Sequence, residues 1–219
     1  MFWSRKFHPG LLEPERADAS GLVAVGGDLR PEWLLKAYRR GIFPWYALGE
    51  KVHWWSPDPR AVFELDGFHV ARRLRRTIRS GRFRVTVNRA FAAVIRGCAD
   101  RPAEETWITP EMIAAYQELH RLGHAHSVEA WAGGALGGGL YGVAVGGLFA
   151  AESMFTRVRD ASKVALAFLV ARLRERGFRL LDTQMLTEHT ARLGAVAIPR
   201  TEYLRRLRAA LACDVRFDP

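Results

Sequence analysis

Between Trp131 and Ala151 the chain runs 21 residues without a charge, and eight of them are Gly. That length would suffice for a membrane span, which takes about 20 apolar residues. The glycines argue against a single helix, because each costs a helix interior about 1 kcal/mol relative to Ala. They fall in clusters separated by Leu, Val, Tyr and Phe, the pattern of strand, Gly turn, strand. The reading is a buried hairpin: Leu136–Val145, a turn at Gly146-Gly147, then Leu148–Phe155. Glu152, Ser153 and Met154 close the second strand, so polar groups arrive where a buried β-platform would meet a ligand.

A chain of 219 residues with 49% hydrophobic residues can bury a proper core. Met1–Gly10 lacks the continuous apolar run of a secretory signal, and Cys98 and Cys213 lie far apart with no metal spacing. Both observations suit reduced thiols in a cytoplasmic protein. The formal charge is +10, and only four of the 33 basic residues are Lys. From Gly67 to Ala99 nine arginines occur with no acid. Among them Arg72, Arg75, Arg76 and Arg79 share one face at helical spacing. Such a face is either simply solvated or a phosphate-binding surface, since guanidinium forks match phosphate oxygens. No aromatic residue interleaves these arginines, which points to the backbone of a folded nucleic acid and away from base stacking.

The first 58 residues carry five prolines, with Pro59 just beyond, and one clear helix at about Glu32–Arg40, preceded by Pro31 and closed by Gly41. They read as a small N-terminal domain (1–58), with a larger domain over 59–219. The larger one begins with strand Ala61–Leu65, basic helix His69–Arg79, strand Phe83–Val87 and helix Arg89–Ala99. A loop through Thr106–Thr109, helix Pro110–Leu122 and strand His126–Trp131 lead into the hairpin. After it come helix Ala161–Arg176, strand Arg179–Thr183, short helix Glu188–Leu193, helix Thr201–Leu211 and an edge strand at Val215–Phe217. The class is α+β, with a mixed, largely antiparallel sheet and flanking helices.

Asp182 and Gln184 share one face of a strand by its period of two, at its C-terminal end. The pattern fits a site pair and a structural cap on the next turn equally. Glu152 in so apolar a run needs a cation, a hydroxyl or a substrate. A Ser153–His189–Asp182 triad can be drawn, but Ser153 lacks the flanking glycines of a nucleophile elbow. His124 and His126 have no third ligand at metal spacing, so a structural role is expected and no metal site. Trp45, Trp54 and Trp55 read as core, while Trp107 sits among hydroxyls in a loop and could offer a stacking face. A coenzyme A acyltransferase would need a Gly-rich turn for the pyrophosphate, and Thr156–Lys163 contains no Gly.

Eight segments together resemble the bacterial leucyl/phenylalanyl-tRNA–protein transferases. They are Gly21–Leu29, Tyr38–Trp45, Trp54–Ala61, Thr106–Thr109, Gly123–Glu129, Gly138–Phe155, Ala161–Lys163 and Leu181–Gly194, in order over nearly the whole chain. The resemblance implies a small N-terminal domain and a larger one similar to the acetyltransferase fold, with aminoacyl-tRNA in place of the coenzyme and no cofactor. It implies transfer of Leu or Phe, less well Met, from Leu-tRNA or Phe-tRNA to the α-amine of proteins beginning with Arg or Lys. That marks the acceptor for degradation by the N-end rule. The enzyme is expected to be a monomer that needs no membrane. Rival readings are a cell-wall peptide transferase using the same donor and a tRNA-binding protein without catalysis.

By the same resemblance Asp182 and Gln184 form the catalytic pair, and Trp107 stacks on the terminal adenine. Trp45 and Glu152 frame the site beside Ser153. Leu140, Phe149, Met154, Leu166 and Leu181 form the pocket for the transferred side chain, and Arg72, Arg75 and Arg76 bind the tRNA stem. Leu140 stands where some members have Met, Leu169 and Leu173 where aromatics occur, and Ala151 where Gly occurs. The expected chemistry has the Gln184 carbonyl orienting the amine, with Asp182 polarising Gln184 and relaying the proton. Acid at the site also suits a cationic acceptor.

Overall fold

The computed structural model describes residues 13–102 and 106–218. Met1–Gly10, read above for a secretory signal, and the first 12 residues of the N-terminal domain reading lie outside them. A 3-10 turn at Pro14–Arg16 precedes β1 (Leu22–Val25), α1 (Pro31–Arg39), β2 (Phe43–Pro44) and β3 (His53–Trp55). These three strands form a small sheet in the order β1-β3-β2. Strands of two to four residues leave no alternation to read, so none was expected from sequence.

The larger part begins with β4 (Arg60–Phe63), α2 (Arg72–Arg79), β5 (Arg84–Val87), α3 (Phe91–Ala99) and α4 (Pro110–Arg121). It continues through β6 (Ala125–Ala132), β7 (Ala135–Val145), β8 (Leu148–Thr156), α5 (Ala161–Glu175) and β9 (Leu180–Asp182). The last elements are α6 (Glu188–Arg192), β10 (Ala195–Ile198) and α7 (Arg200–Leu211). Seven strands form one sheet in the order β10-β4-β9-β8-β7-β6-β5. All its pairs are antiparallel except β8 with β9, which α5 joins as a crossover. The α+β class with a mixed, largely antiparallel sheet is what the sequence implies.

The Gly-rich run forms the expected hairpin, with Val145 opposite Leu148 and Gly146 at φ +54 in the turn. One face of the sheet is covered by α5, whose Leu166, Leu169, Val170 and Leu173 pack with Leu140, Phe149 and Leu181. The other face meets α3, α4 and the N-terminal elements in one continuous core. Leu34, Tyr38, Ile42 and Trp54 pack there with Tyr116, Tyr141 and Val143. The described residues before 59 therefore share their core with the larger part.

One expectation needs correction. Val215–Phe217 is not a strand, and the outer strand beside β4 is Ala195–Ile198 instead. The carbonyl of Phe217 is taken by Arg172, whose Nε and Nη2 donate at 3.0 and 2.7 Å. Its ring is 2% exposed, so the segment is anchored by side chains and joins no ladder.

Candidate active site

The parallel ladder of β8 and β9 ends at Ala150 opposite Asp182, while β8 runs on to Thr156. Beyond that point the chain after β9 turns away at Gln184, held at φ +58. Few non-glycine residues occupy this left-handed region, and such positions cluster where a site dictates the backbone. A cavity of about 590 Å³ fills the gap between the diverging segments.

A second irregularity aims Glu152 into it. Tyr141 pairs with Ser153 and Gly142 with Ala151, so Glu152 is the extra residue of a β-bulge. Bulges turn one side chain out of the strand's alternation. Gln184 Nε2 donates to Glu152 Oε1 at 3.1 Å, and the Tyr116 hydroxyl donates to Oε2 at 3.3 Å. Tyr116 in turn meets the Tyr38 hydroxyl at 2.5 Å, which ties α1 to α4 beneath the site. Burial raises the Glu152 carboxyl from 4.5 to about 8, against the lowering effect of the Tyr38 and Tyr116 hydroxyls. The carboxyl is mainly protonated at neutral pH.

Asp182 lies behind the cavity wall, 1% exposed and not lining it. Arg60 Nε and Nη2 grip its two oxygens at 2.9 and 2.7 Å, and the Tyr203 hydroxyl donates to Oδ2 at 2.9 Å. Oδ1 also accepts the backbone N–H of Gln184 at 2.9 Å. The carboxylate thus holds the turn that carries Gln184 and touches the main chain, not the side-chain amide. Ser153 and His189 line the cavity and Asp182 does not, so the three are not brought together as a triad. Asp182 is paired with Arg60, and burial favours the protonated form of Glu152.

Of the other residues named from the sequence, Trp45, Trp107, Leu140, Ser153, Met154 and Leu166 line the cavity. Trp45 is 37% exposed at the rim, braced edge-on by Trp55 at 5.8 Å. Phe149 and Leu181 are fully buried one layer behind the wall. Arg72, Arg75 and Arg76 are exposed on α2, away from the cavity lining, and form no ion pair among the described residues. His126 is buried and bonded to Asn88 at 3.0 Å, and no group of three metal-ligating side chains occurs among the described residues. No helix among them is long and apolar enough to cross a membrane.

The sequence reading missed Arg60, Tyr38, Tyr116 and Tyr203, all at 1% exposure or less. Arg60 left one signal, an arginine opening an apolar strand, which needs a buried partner. It also missed Arg101 and Arg157, which line the cavity with His189 and with Asp100, the partner of Arg157 at 3.3 Å. Burial, and then the positive charges of Lys163, Arg101 and Arg192, lower the His189 imidazole.

A family model described as leucyl/phenylalanyl-tRNA protein transferase matches residues 62–208, and that family's N-terminal domain model matches residues 27–58. A leucyl/phenylalanyl-tRNA–protein transferase of Anaeromyxobacter sp. (strain Fw109-5) is 57% identical over 202 residues, covering 91% of this chain and 86% of the relative. One from Edwardsiella ictaluri (strain 93-146) is 54% identical over 200 residues, covering 90% and 83%. Among solved structures, a ribosomal-protein-alanine N-acetyltransferase from Brucella melitensis biovar Abortus 2308 is similar at 15% identity and a TM-score of 0.38, covering 51% of this chain and 87% of that one. Two family models in register and relatives above half identity along nine-tenths of the sequence place the chain in the leucyl/phenylalanyl-tRNA–protein transferase family of aminoacyltransferases.

Proposed function

We propose that the protein moves Leu or Phe, and less well Met, from the 3′ end of aminoacyl-tRNA to the α-amine of proteins beginning with Arg or Lys. The observation that carries this reading is the Glu152–Gln184 pair at 3.1 Å, facing a cavity walled by Leu140, Leu166 and Met154. An apolar wall of that kind takes a branched or aromatic side chain and discriminates by only about 1–3 kcal/mol per methylene. Trp107 offers its face to the terminal adenine, and Trp45 and Ser153 border the reacting ester.

The reaction asks little of the protein. The amine nitrogen attacks the ester carbonyl, the bond to the ribose oxygen breaks, and the amine's proton ends on that oxygen. An α-amine titrates near 7.7–8, so a neutral fraction exists at pH 7 without a strong base. Positioning supplies the rate. One Nε2 N–H goes to Glu152, while the Gln184 carbonyl oxygen has no hydrogen-bond partner among the described residues and is the acceptor for the incoming N–H. Asp182 acts through Gln184: it fixes the left-handed turn from behind and is a positioning residue. The exposed arginines of α2 supply attraction for the tRNA stem.

Support for an acceptor with N-terminal Arg or Lys is the motif resemblance. Marking such proteins for degradation in the cytoplasm follows from that acceptor class. The test incubates the protein with labelled Leu-tRNA and model proteins starting with Arg, Lys or Ala, each with a free or acetylated amine. Transfer to free Arg and Lys starts alone supports the proposal. Transfer to Ala starts equally well, or none to any amine, contradicts it.

A further inference from the structure

We propose that the segment Asp214–Asp218 is a specificity strap: Phe217 wedges behind the aminoacyl pocket and sets how large a side chain the pocket accepts. The inference rests on reading the cavity as the pocket for the transferred side chain.

The strap is anchored at Phe217 itself and at the residue that follows it. Arg172 binds the Phe217 carbonyl with two N–H groups and lies over the Phe217 ring at 5.2 Å. Asn88 Nδ2 donates to both Asp218 oxygens at 2.7 and 2.9 Å, and His126 Nδ1 lies 3.4 Å from Oδ2. Asn88 itself is held at φ +57, where Asn is tolerated better than most residues. Between these anchors the Phe217 ring contacts Phe149 at 5.0 Å, His126 at 4.6 Å and Phe178 at 6.2 Å.

Phe149 links the wedge to the pocket. Its ring occupies the space above Gly142, where an added Cβ would stand 2.5 Å from Cε1. Leu140 lies two residues along the same strand, on the same face, and lines the cavity with Leu166. Phe217, Phe149, Leu140 and Leu166 belong to one packed core cluster. Close-packed interiors transmit volume changes and do not absorb them. The volume of Phe217 therefore governs where Phe149 sits, and through it the depth available past Leu140.

The test measures binding of two non-reacting probes, 3′-leucylamido- and 3′-phenylalanylamido-adenosine, by calorimetry, alongside kcat/KM for Leu-tRNA and Phe-tRNA. Phe217→Ala is expected to shift the Phe-to-Leu ratio toward Phe about tenfold in both readouts, the size of a small change in pocket volume. Phe217→Leu and Asp218→Ala, which keep the core filled, should move it the same way by less, and they carry the test if Phe217→Ala does not fold. Folded variants that lose thermal stability with an unchanged ratio would show that the strap is structural only, and would overturn the proposal. Shifted probe affinities without transfer by the wild type would leave the strap standing and remove the functional reading. A wild type that binds neither probe would remove both.

Discussion

Gln184 and Glu152 meet across 3.1 Å at the mouth of the gap between β8 and β9, and each is there because the backbone breaks its regular pattern. Glu152 is the surplus residue of a bulge, and Gln184 sits in the left-handed region. One Nε2 N–H of Gln184 is given to Glu152, and its carbonyl oxygen has no hydrogen-bond partner among the described residues.

Asp182→Ala leaves Arg60 buried without its carboxylate. Breaking one side of such a pair costs about 3–5 kcal/mol. Chemical denaturation should therefore show Asp182→Ala and Arg60→Ala strongly destabilised, and Asp182→Asn less so. Gln184→Ala, which removes one hydrogen bond to Glu152, should cost less, about 1 kcal/mol.

Glu152 makes stability depend on pH. Its carboxyl titrates at about 8 in the fold and near 4.5 when unfolded, so between those values the folded state binds the extra proton. Stability from this group is complete below pH 4.5, falls as pH rises toward 8, and levels off above. Glu152→Gln cannot titrate. The difference in unfolding free energy between wild type and variant, measured from pH 5 to 8.5, should follow that descent. A difference that does not vary with pH would place the Glu152 carboxyl in its ordinary range.

Arg72, Arg75 and Arg76 are exposed, so replacing all three by Ala should leave the melting temperature unchanged. If they neutralise tRNA phosphates, the slope of log affinity against log salt should fall by about two to three. Weaker binding with the wild-type salt slope would argue against phosphate contacts there.

Tyr38, Leu34 and Trp54 pack into the core that also holds Tyr116, Tyr141 and Val143. Residues 59–219 produced alone would expose that face and lose the Tyr38–Tyr116 contact. The fragment should bind hydrophobic dye and fail to unfold cooperatively. Wild-type cooperativity would show that the larger part folds independently.

Much of this architecture could be read from the chain because its signals are local. Clustered glycines marked the hairpin, and Pro31 and Gly41 bracketed α1, but the strand period fails at Gln184. There β9 ends at Asp182, and Gln184 turns into the left-handed region and lines the cavity while Asp182 lies behind it. The rest depends on events with no local mark. A bulge at Glu152 is a mismatch between two strands and is invisible in either alone. The partnership of Arg60 with Asp182 spans 122 residues, and it buries Asp182 behind the cavity wall. Val215–Phe217 has strand composition, yet Arg172 claims its carbonyl first.

The central claim, that the Gln184 carbonyl positions the amine while Asp182 acts only from behind, is tested most directly by single-turnover transfer. The measurement uses labelled Leu-tRNA and an Arg-starting protein, at saturating acceptor, with wild type, Gln184→Ala and Asp182→Asn. Loss of a positioning contact at the reacting atom should slow Gln184→Ala by about a hundredfold. Asp182→Asn, which still offers Oδ1 to the Gln184 N–H, should retain a larger share of the rate. A Gln184→Ala enzyme transferring at the wild-type rate, or an Asp182→Asn enzyme slower than Gln184→Ala with its fold intact, would contradict the account.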